Sequence, residues 1–235
     1  MTLSQISEKL AKTCKSNESI NLLATLPEEF FYNSLDLCII DAVFSIGVKY
    51  EGVKNVVRKY QKHLEHAHPA LSKRSRTTNE AISVFESYSS IQNFAKDVLN
   101  LQRTSTKNGI LKAEAVLEVL KVLDKHDIQN VNHFRNLDST KQEEVDKEIL
   151  AVKGQGSGIM LKYLYMLVGN DDVCKPDRML HRFITNISGR KMLDDELQRV
   201  MANACEILSK EYPTLTVRTL DNQIWQYQKN QVVSN

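Results

Sequence analysis

Three of the chain's eight glycines fall within five residues: Gly154, Gly156 and Gly158 in Val152-Lys153-Gly154-Gln155-Gly156-Ser157-Gly158-Ile159. Glycine carries no Cβ, so a ligand can come up against the backbone there. Helical patterns flank the run, at residues 143–151 ahead of it and at the almost wholly apolar 159–168 behind it. A turn between two helices leaves backbone N–H groups unpaired, and such groups bind anions, phosphate above all. Taken alone, G-x-G-x-G serves equally well as a plain interhelical turn. Asp177 is the second position able to do chemistry. It stands 19 residues beyond Gly158, in Lys175-Pro176-Asp177-Arg178-Met179-Leu180-His181-Arg182-Phe183, where the proline starts another helix. An aspartate in a first helical turn either steadies the positive end of the helix dipole or faces a ligand.

Other groups carry weaker signals. Asp36 and Asp41 sit in an otherwise apolar helical stretch, where a buried carboxylate needs a partner and a pocket wall is one reason to keep it. The plainer expectation is that both lie on a solvent face or cap a neighbouring helix. His63, His66 and His68 share helical spacing, but no cysteine joins them, and a helix end before Pro69 suits histidines electrostatically. No metal site is expected there. Lys73, Arg74 and Arg76 lie in a basic loop at 67–78 of an ordinary exposed kind.

The elements that must position these groups are all helical. Two short helices are predicted within 3–26, and a strong one from Pro27 to about Gly47. Further helices are predicted at 50–64, 79–88, 90–100 and 110–123. A capping box, Ser139 with Gln142 or Thr140 with Glu143, starts the helix before the glycines. Residues 193–212 and 216–228 form the last two helices, the latter carrying Leu220, Ile224, Trp225 and Tyr227. No stretch alternates with period two, so the fold class is all-α.

The chain's 235 residues are ample for a core, and a net charge of +2 supplies no global field for nucleic acid, so any such contact must come from local arrangement. Cys14, Cys38, Cys174 and Cys205 are too scattered for a disulfide framework. No apolar run is long enough to span a bilayer, and no signal pattern opens the chain. The expectation is a cytoplasmic protein, nucleoid-associated if bacterial, with no membrane contact.

In its order of glycine hairpin, apolar helix, short loop and aspartate-led helix, the chain resembles the helix-hairpin-helix DNA glycosylase superfamily, the fold of endonuclease III and the adenine glycosylases. Gly109-Ile110-Leu111-Lys112-Ala113-Glu114-Ala115-Val116 resembles the family's K-A-E helix, and residues 35–60 resemble its first conserved helix pair. The likeness runs from about residue 35 to residue 187. It implies a two-lobed helical fold over 1–235, with a six-helix-type lobe at 40–150 and a hairpin and terminal-helix lobe made of 1–39 and 151–235. It also implies a monomer that binds double-stranded DNA and hydrolyses the N-glycosidic bond of a damaged or mispaired base.

On this resemblance Asp177 is the catalytic carboxylate, stabilising the cation that develops on the sugar or positioning water. Lys153, Gly154, Gln155, Gly156, Ser157 and Gly158 would hold a DNA phosphate, with Arg178 and Arg182 beside them, and hairpin carbonyls would take a monovalent cation. A flipped base needs aromatic faces and polar groups, for which Trp225, Tyr227, Phe134, Tyr163, Asp36 and His181 are candidates. The chain departs from the family in three places. Gly158 stands where bifunctional members carry a lysine, so monofunctional chemistry is expected. Gly47 falls about where a base-replacing glutamine is found, and the loop to Asp177 is one residue longer. The closely spaced C-terminal cysteines of an iron–sulfur cluster are missing, so no such cluster is expected. Two other readings use the same residues: an inactive helix-hairpin-helix module that grips DNA structure, and a helical protein–protein adaptor.

Overall fold

The computed structural model describes residues 1–27 and 30–233. In chain order the helices are α1 (Leu3–Ser16), α2 (Leu35–Phe44), α3 (Tyr50–Ala67), α4 (Pro69–Ser72), α5 (Thr78–Glu86) and α6 (Ile91–Val98). There follow α7 (Lys112–Lys125), α8 (Val131–Arg135), α9 (Ser139–Ala151) and α10 (Ile159–Leu167). The last three are α11 (Arg178–Ser188), α12 (Asp194–Ser209) and α13 (Val217–Val233). Among the described residues there is no strand, only a single antiparallel bridge between Arg103 and Leu111. The fold is all-α, as the helical periodicity predicts.

Three helix starts differ from the sequence expectation, each because a side chain claims the backbone. Residues 3–26 hold one helix, α1, rather than two. Beyond it the Asn17 and Asn21 side chains accept the N–H groups of Ser19 and Leu23, both at 3.0 Å, and turn the chain locally. The helix expected from Pro27 begins only at Leu35; Glu28 and Glu29 lie outside the described residues. Ser34 is extended, and its buried hydroxyl accepts the Arg76 N–H at 2.9 Å instead of capping its own helix. Asp138, rather than Ser139 or Thr140, caps α9 by accepting the Lys141 N–H at 2.9 Å.

The chain divides into two compact units, one of residues 1–30 and 169–235, the other of residues 31–168. In the first, α1 packs along α12, and α13 packs on both α11 and α12. Ile6 and Leu10 of α1, Leu197 and Val200 of α12, and Leu220 and Ile224 of α13 are fully buried in its core. Burying each such side chain is worth about 1.5–3 kcal/mol.

In the second unit every residue of α2 is buried, and α3, α7 and α10 pack around it. Because α10 rests on α2 and α9, it and the glycine turn belong to this unit. The expected lobes had placed 151–235 together with the N-terminus. An all-round apolar helix belongs in a core, yet α2 carries two carboxylates there. Asp36 accepts from Arg76 Nε at 2.7 Å and Nη2 at 3.1 Å, and from the Tyr60 hydroxyl at 2.8 Å. Asp41 accepts from the hydroxyls of Tyr32 at 2.8 Å and Tyr50 at 3.3 Å. The solvent-face expectation for both aspartates is therefore replaced by burial with partners. At the other end of α2, Lys112 of α7 buries its Nζ to donate to the carbonyls of Phe44 at 3.1 Å and Ile46 at 2.8 Å. A cation there meets the negative end of the helix.

The buried pair makes a sharp prediction. Arg76→Met should cost about 3–5 kcal/mol, because Asp36 would be left charged and unpaired in the core. Adding Asp36→Leu should restore much of that loss. Urea denaturation of the single and double variants measures both effects, and a single-variant loss below about 1 kcal/mol would show that the pair is solvated.

Candidate functional site

Between α9 and α10 the backbone makes two successive tight turns. The Gln155 N–H donates to the Val152 carbonyl at 2.9 Å, and the Gly158 N–H to the Gln155 carbonyl at 3.0 Å. Gly154 and Gly158 have φ of 91° and 74°, a region that disfavours any residue with a Cβ. At Gly154 there is a second constraint, since a Cβ would lie 2.4 Å from Thr104 Cβ. Gly156 is open, with the Leu150 carbonyl 3.7 Å from where its Cβ would be. Gly158 is the N-cap of α10 and supplies no side chain to close it. The N–H groups of Gly156, Ser157 and Ile159 donate to no described residue, as is usual ahead of a helix.

Lys153 and Ser157 are exposed beside this cradle. Gln155, expected among the phosphate-contacting residues, differs from them. Its side chain is buried and its N–H is spent within the turn. Gln155 Oε1 and Thr104 Oγ1 are both buried without a hydrogen-bond partner among the described residues. The loop that brings Thr104 to Gly154 is held by the Arg103–Leu111 bridge and carries Arg103 and Lys107, both exposed. On another side of the turn, a groove of about 440 Å³ is lined by Glu114, Glu118 and Glu148 together with Val152 and Lys153. Its three carboxylates make that wall unfavourable to an anion.

Asp177 lies in the other unit, as the N-cap of α11 rather than within its first turn. Its Oδ1 accepts the N–H groups of Met179 at 2.8 Å and Leu180 at 3.1 Å. Both capping bonds fall on one oxygen, and Oδ2 has no partner among the described residues. The turn ahead of it is tightly drawn: the Asp177 N–H donates to the Lys175 carbonyl at 2.7 Å, and Pro176 between them is buried. From α13, Asp221 accepts the Lys175 N–H at 3.2 Å. Burial, and then the negative charge of Asp177, push the Asp221 carboxyl up to about 8, against the opposing pull of the Lys175 N–H and ammonium. The sequence reading did not single out Asp221. Its one signal was an acid wedged between the apolar Leu220 and Ile224 of an amphipathic helix.

The remaining expected residues separate by unit and by role. Phe134 is buried against the Tyr165 ring at 5.1 Å. Tyr163 is buried too, and desolvation raises its hydroxyl well above the ordinary range. Asp36 is committed to Arg76 and Tyr60. These three belong to the interior of the 31–168 unit. In the other unit, His181 Nε2 is 2.9 Å from Asp194 of α12, which ties the ring to that helix. Arg182 donates through Nε to Gln228 Oε1 at 2.6 Å, so it braces α11 on α13. Tyr227 packs edge-on against Phe183 at 5.7 Å. Arg178 is exposed, and Trp225 is half-buried with the Lys229 ammonium 5.2 Å from its ring centre. Of the aromatic candidates, Trp225 and Tyr227 lie in the unit that carries Asp177, and both are half-buried.

The hairpin geometry distinguishes its glycines. Gly154→Ala should destabilise the protein by about 1–3 kcal/mol, through the positive φ and the collision with Thr104. Gly156→Ala should stay within about 0.5 kcal/mol. Chemical denaturation of the two variants checks the ordering, and equal costs would contradict this backbone path.

No curated protein and no solved structure gives a match to the chain. A family match does cover residues 8–229, which takes in both units, the hairpin and Asp177. The chain belongs to that family, described as Domain of unknown function (DUF8548).

Proposed function

We propose that this protein is a monofunctional DNA N-glycosylase of the helix-hairpin-helix type, releasing a damaged or mispaired base from double-stranded DNA. The observation that carries the reading is the glycine hairpin, whose Gly156, Ser157 and Ile159 N–H groups remain unspent ahead of an apolar helix. Asp177 follows at the head of α11 with one oxygen used for capping and the other left over. That second oxygen is the group able to meet positive charge on a sugar as the glycosidic bond lengthens, or to orient the attacking water. Phosphate recognition would rest on the hairpin backbone with Lys153 and Ser157, and in the other unit the exposed Arg178 is a separate candidate contact to DNA. Trp225 is the aromatic face best suited to a flipped base. The buried Gln155 Oε1 and Thr104 Oγ1 offer oxygen acceptors at the hairpin, the ligand type that an alkali cation takes. Glycine at 158 supplies no amine for a Schiff base.

One observation favours a second reading, a DNA-structure-binding module without catalysis. Asp177 Oδ1 is fully employed as a helix cap, which is reason enough for an aspartate at that position.

Incubation with duplexes bearing a panel of damaged bases separates the two readings. The glycosylase should leave abasic sites that break only after hot alkali, and borohydride should trap no covalent adduct. Asp177→Asn keeps the cap but removes the charge. It should lower single-turnover excision by about 3–4 kcal/mol in barrier, some 10²–10³-fold, while stability changes by no more than about 0.3–1 kcal/mol. Wild-type excision in the folded variant would end the catalytic assignment. Gly156→Glu should abolish salt-sensitive duplex binding with helicity retained, since the site tolerates a Cβ but not a negative charge beside phosphate.

A further inference from the structure

Asp221 is a buried carboxyl, 6% exposed, that nothing in the proposed chemistry uses. It reaches from α13 to the Lys175 N–H, while Asp177 donates its own N–H to the carbonyl of that same residue. Lys175 is thereby gripped at both ends of its backbone by the two aspartates, with the buried Pro176 between Lys175 and Asp177. Pro176 has a fixed φ and adds little freedom to this turn. The orientation of Asp177 at the head of α11 therefore depends on a contact made 44 residues later in the chain.

We infer that Asp221 is a positioning residue for Asp177, holding the 175–177 turn from α13 and setting, by its protonation, the charge that Asp177 faces. The inference rests on Asp177 being the reactive carboxylate of the proposed glycosylase. The charged groups acting on Asp221 are Asp177, at the start of α11, and Lys175, in the loop before it. The exposed Arg178 follows Asp177, and α12, also packed on α13, contributes the uncharged Gln198 to the Cys174 N–H of the same loop. Arg218, one turn earlier on α13, is engaged by the Phe30 carbonyl and by Asp171. With its proton on, Asp221 accepts the Lys175 N–H as a neutral group and adds no charge beside Asp177. Once it ionises, near pH 8, two carboxylates flank one residue and their repulsion opposes the turn.

The sign of the linked stability follows. A carboxyl whose folded value lies above its unfolded one binds its proton more tightly in the folded state. Its contribution is fully present below about pH 4 and is lost as pH rises to about 8. Asp221→Asn removes this dependence, because the amide keeps an acceptor for Lys175 and never ionises.

The deciding measurement follows the Asp177 carboxyl by carbon NMR from about pH 5 to pH 10, with Lys175 amide exchange in parallel. In the wild type the Asp177 resonance should step near pH 8, and in Asp221→Asn the step should vanish. Lys175 exchange should stay near wild type in Asp221→Asn and accelerate roughly tenfold in Asp221→Leu, which fills the space without an acceptor. Absence of the wild-type step, or unchanged Lys175 exchange in a folded Asp221→Leu protein, overturns the inference. Where a lesion is excised, the wild-type rate should fall above about pH 8 and the Asp221→Asn rate should not; a shared alkaline fall also overturns it. Should no lesion be excised, the glycosylase reading fails by itself, and the NMR and exchange results still decide the role of Asp221.

Discussion

Burying α2 on all sides governs how the 31–168 unit is built. The helix carries Asp36 and Asp41 into the core, and a charge taken out of water costs several kcal/mol unless it is met. Arg76 meets Asp36 with side-chain exposures of 3% and 1%, and Tyr60 occupies the same carboxylate. To reach that position Arg76 must arrive from the loop ahead of α5, so the path of that loop is set by the ion pair. Its backbone N–H is held at Ser34 as well, which explains why α2 starts where it does. Two hydroxyls serve Asp41, and Lys112 closes the far end of the helix. With its buried polar groups hydrogen-bonded at three points, α2 can take α7 and α10 against it, and α10 carries the glycine hairpin with it.

Caps distinguish the hairpin from the other helix starts only in part. Thr2, Thr77, Ser90, Asn130, Asp138 and Asp177 each use a side chain to accept N–H groups of the helix they begin. Gly158 cannot, but α2, α3 and α7 also start without a side-chain cap. What sets α10 apart is the glycine run before it. The run turns the chain twice and leaves the N–H groups of Gly156, Ser157 and Ile159 unspent. Thr104 against Gly154 shows the same principle facing inward, since the turn fits its neighbouring loop only without a Cβ.

Around Asp177 the controlling quantity is charge in a partly dry place. One aspartate sits half-exposed at a positive helix end; the other, Asp221, is buried, and desolvation raises its carboxyl to about 8. Environments that push two like groups apart in proton affinity give them different tasks. Here the half-exposed carboxylate caps α11 and the buried one holds the Lys175 N–H.

Much of the helical framework was legible in the sequence. Apolar spacing located α3, α5, α6, α7, α10, α12 and α13 to within a few residues, because a helix buries one face and that face recurs with the helical period. The glycine run and the proline-led aspartate were equally plain, since Gly154 and Gly158 take a positive φ that favours glycine and an aspartate suits a helix N-cap. What sequence spacing could not supply was the partner of each polar group. Asp36 lies 40 residues from Arg76, Lys112 lies 68 and 66 residues from the carbonyls it caps, and Asp221 lies 46 residues from Lys175. Such pairings depend on which helix faces pack together, and a local pattern records only that a face is apolar. For the same reason Phe134, Tyr163 and Tyr227 read as possible pocket aromatics until packing placed two in the core and Tyr227 against Phe183. Residue type and spacing determined an all-α chain with a glycine turn between two helices and a carboxylate-led helix. Tertiary structure alone decided which acids are buried, because burial and pairing arise only when distant segments meet.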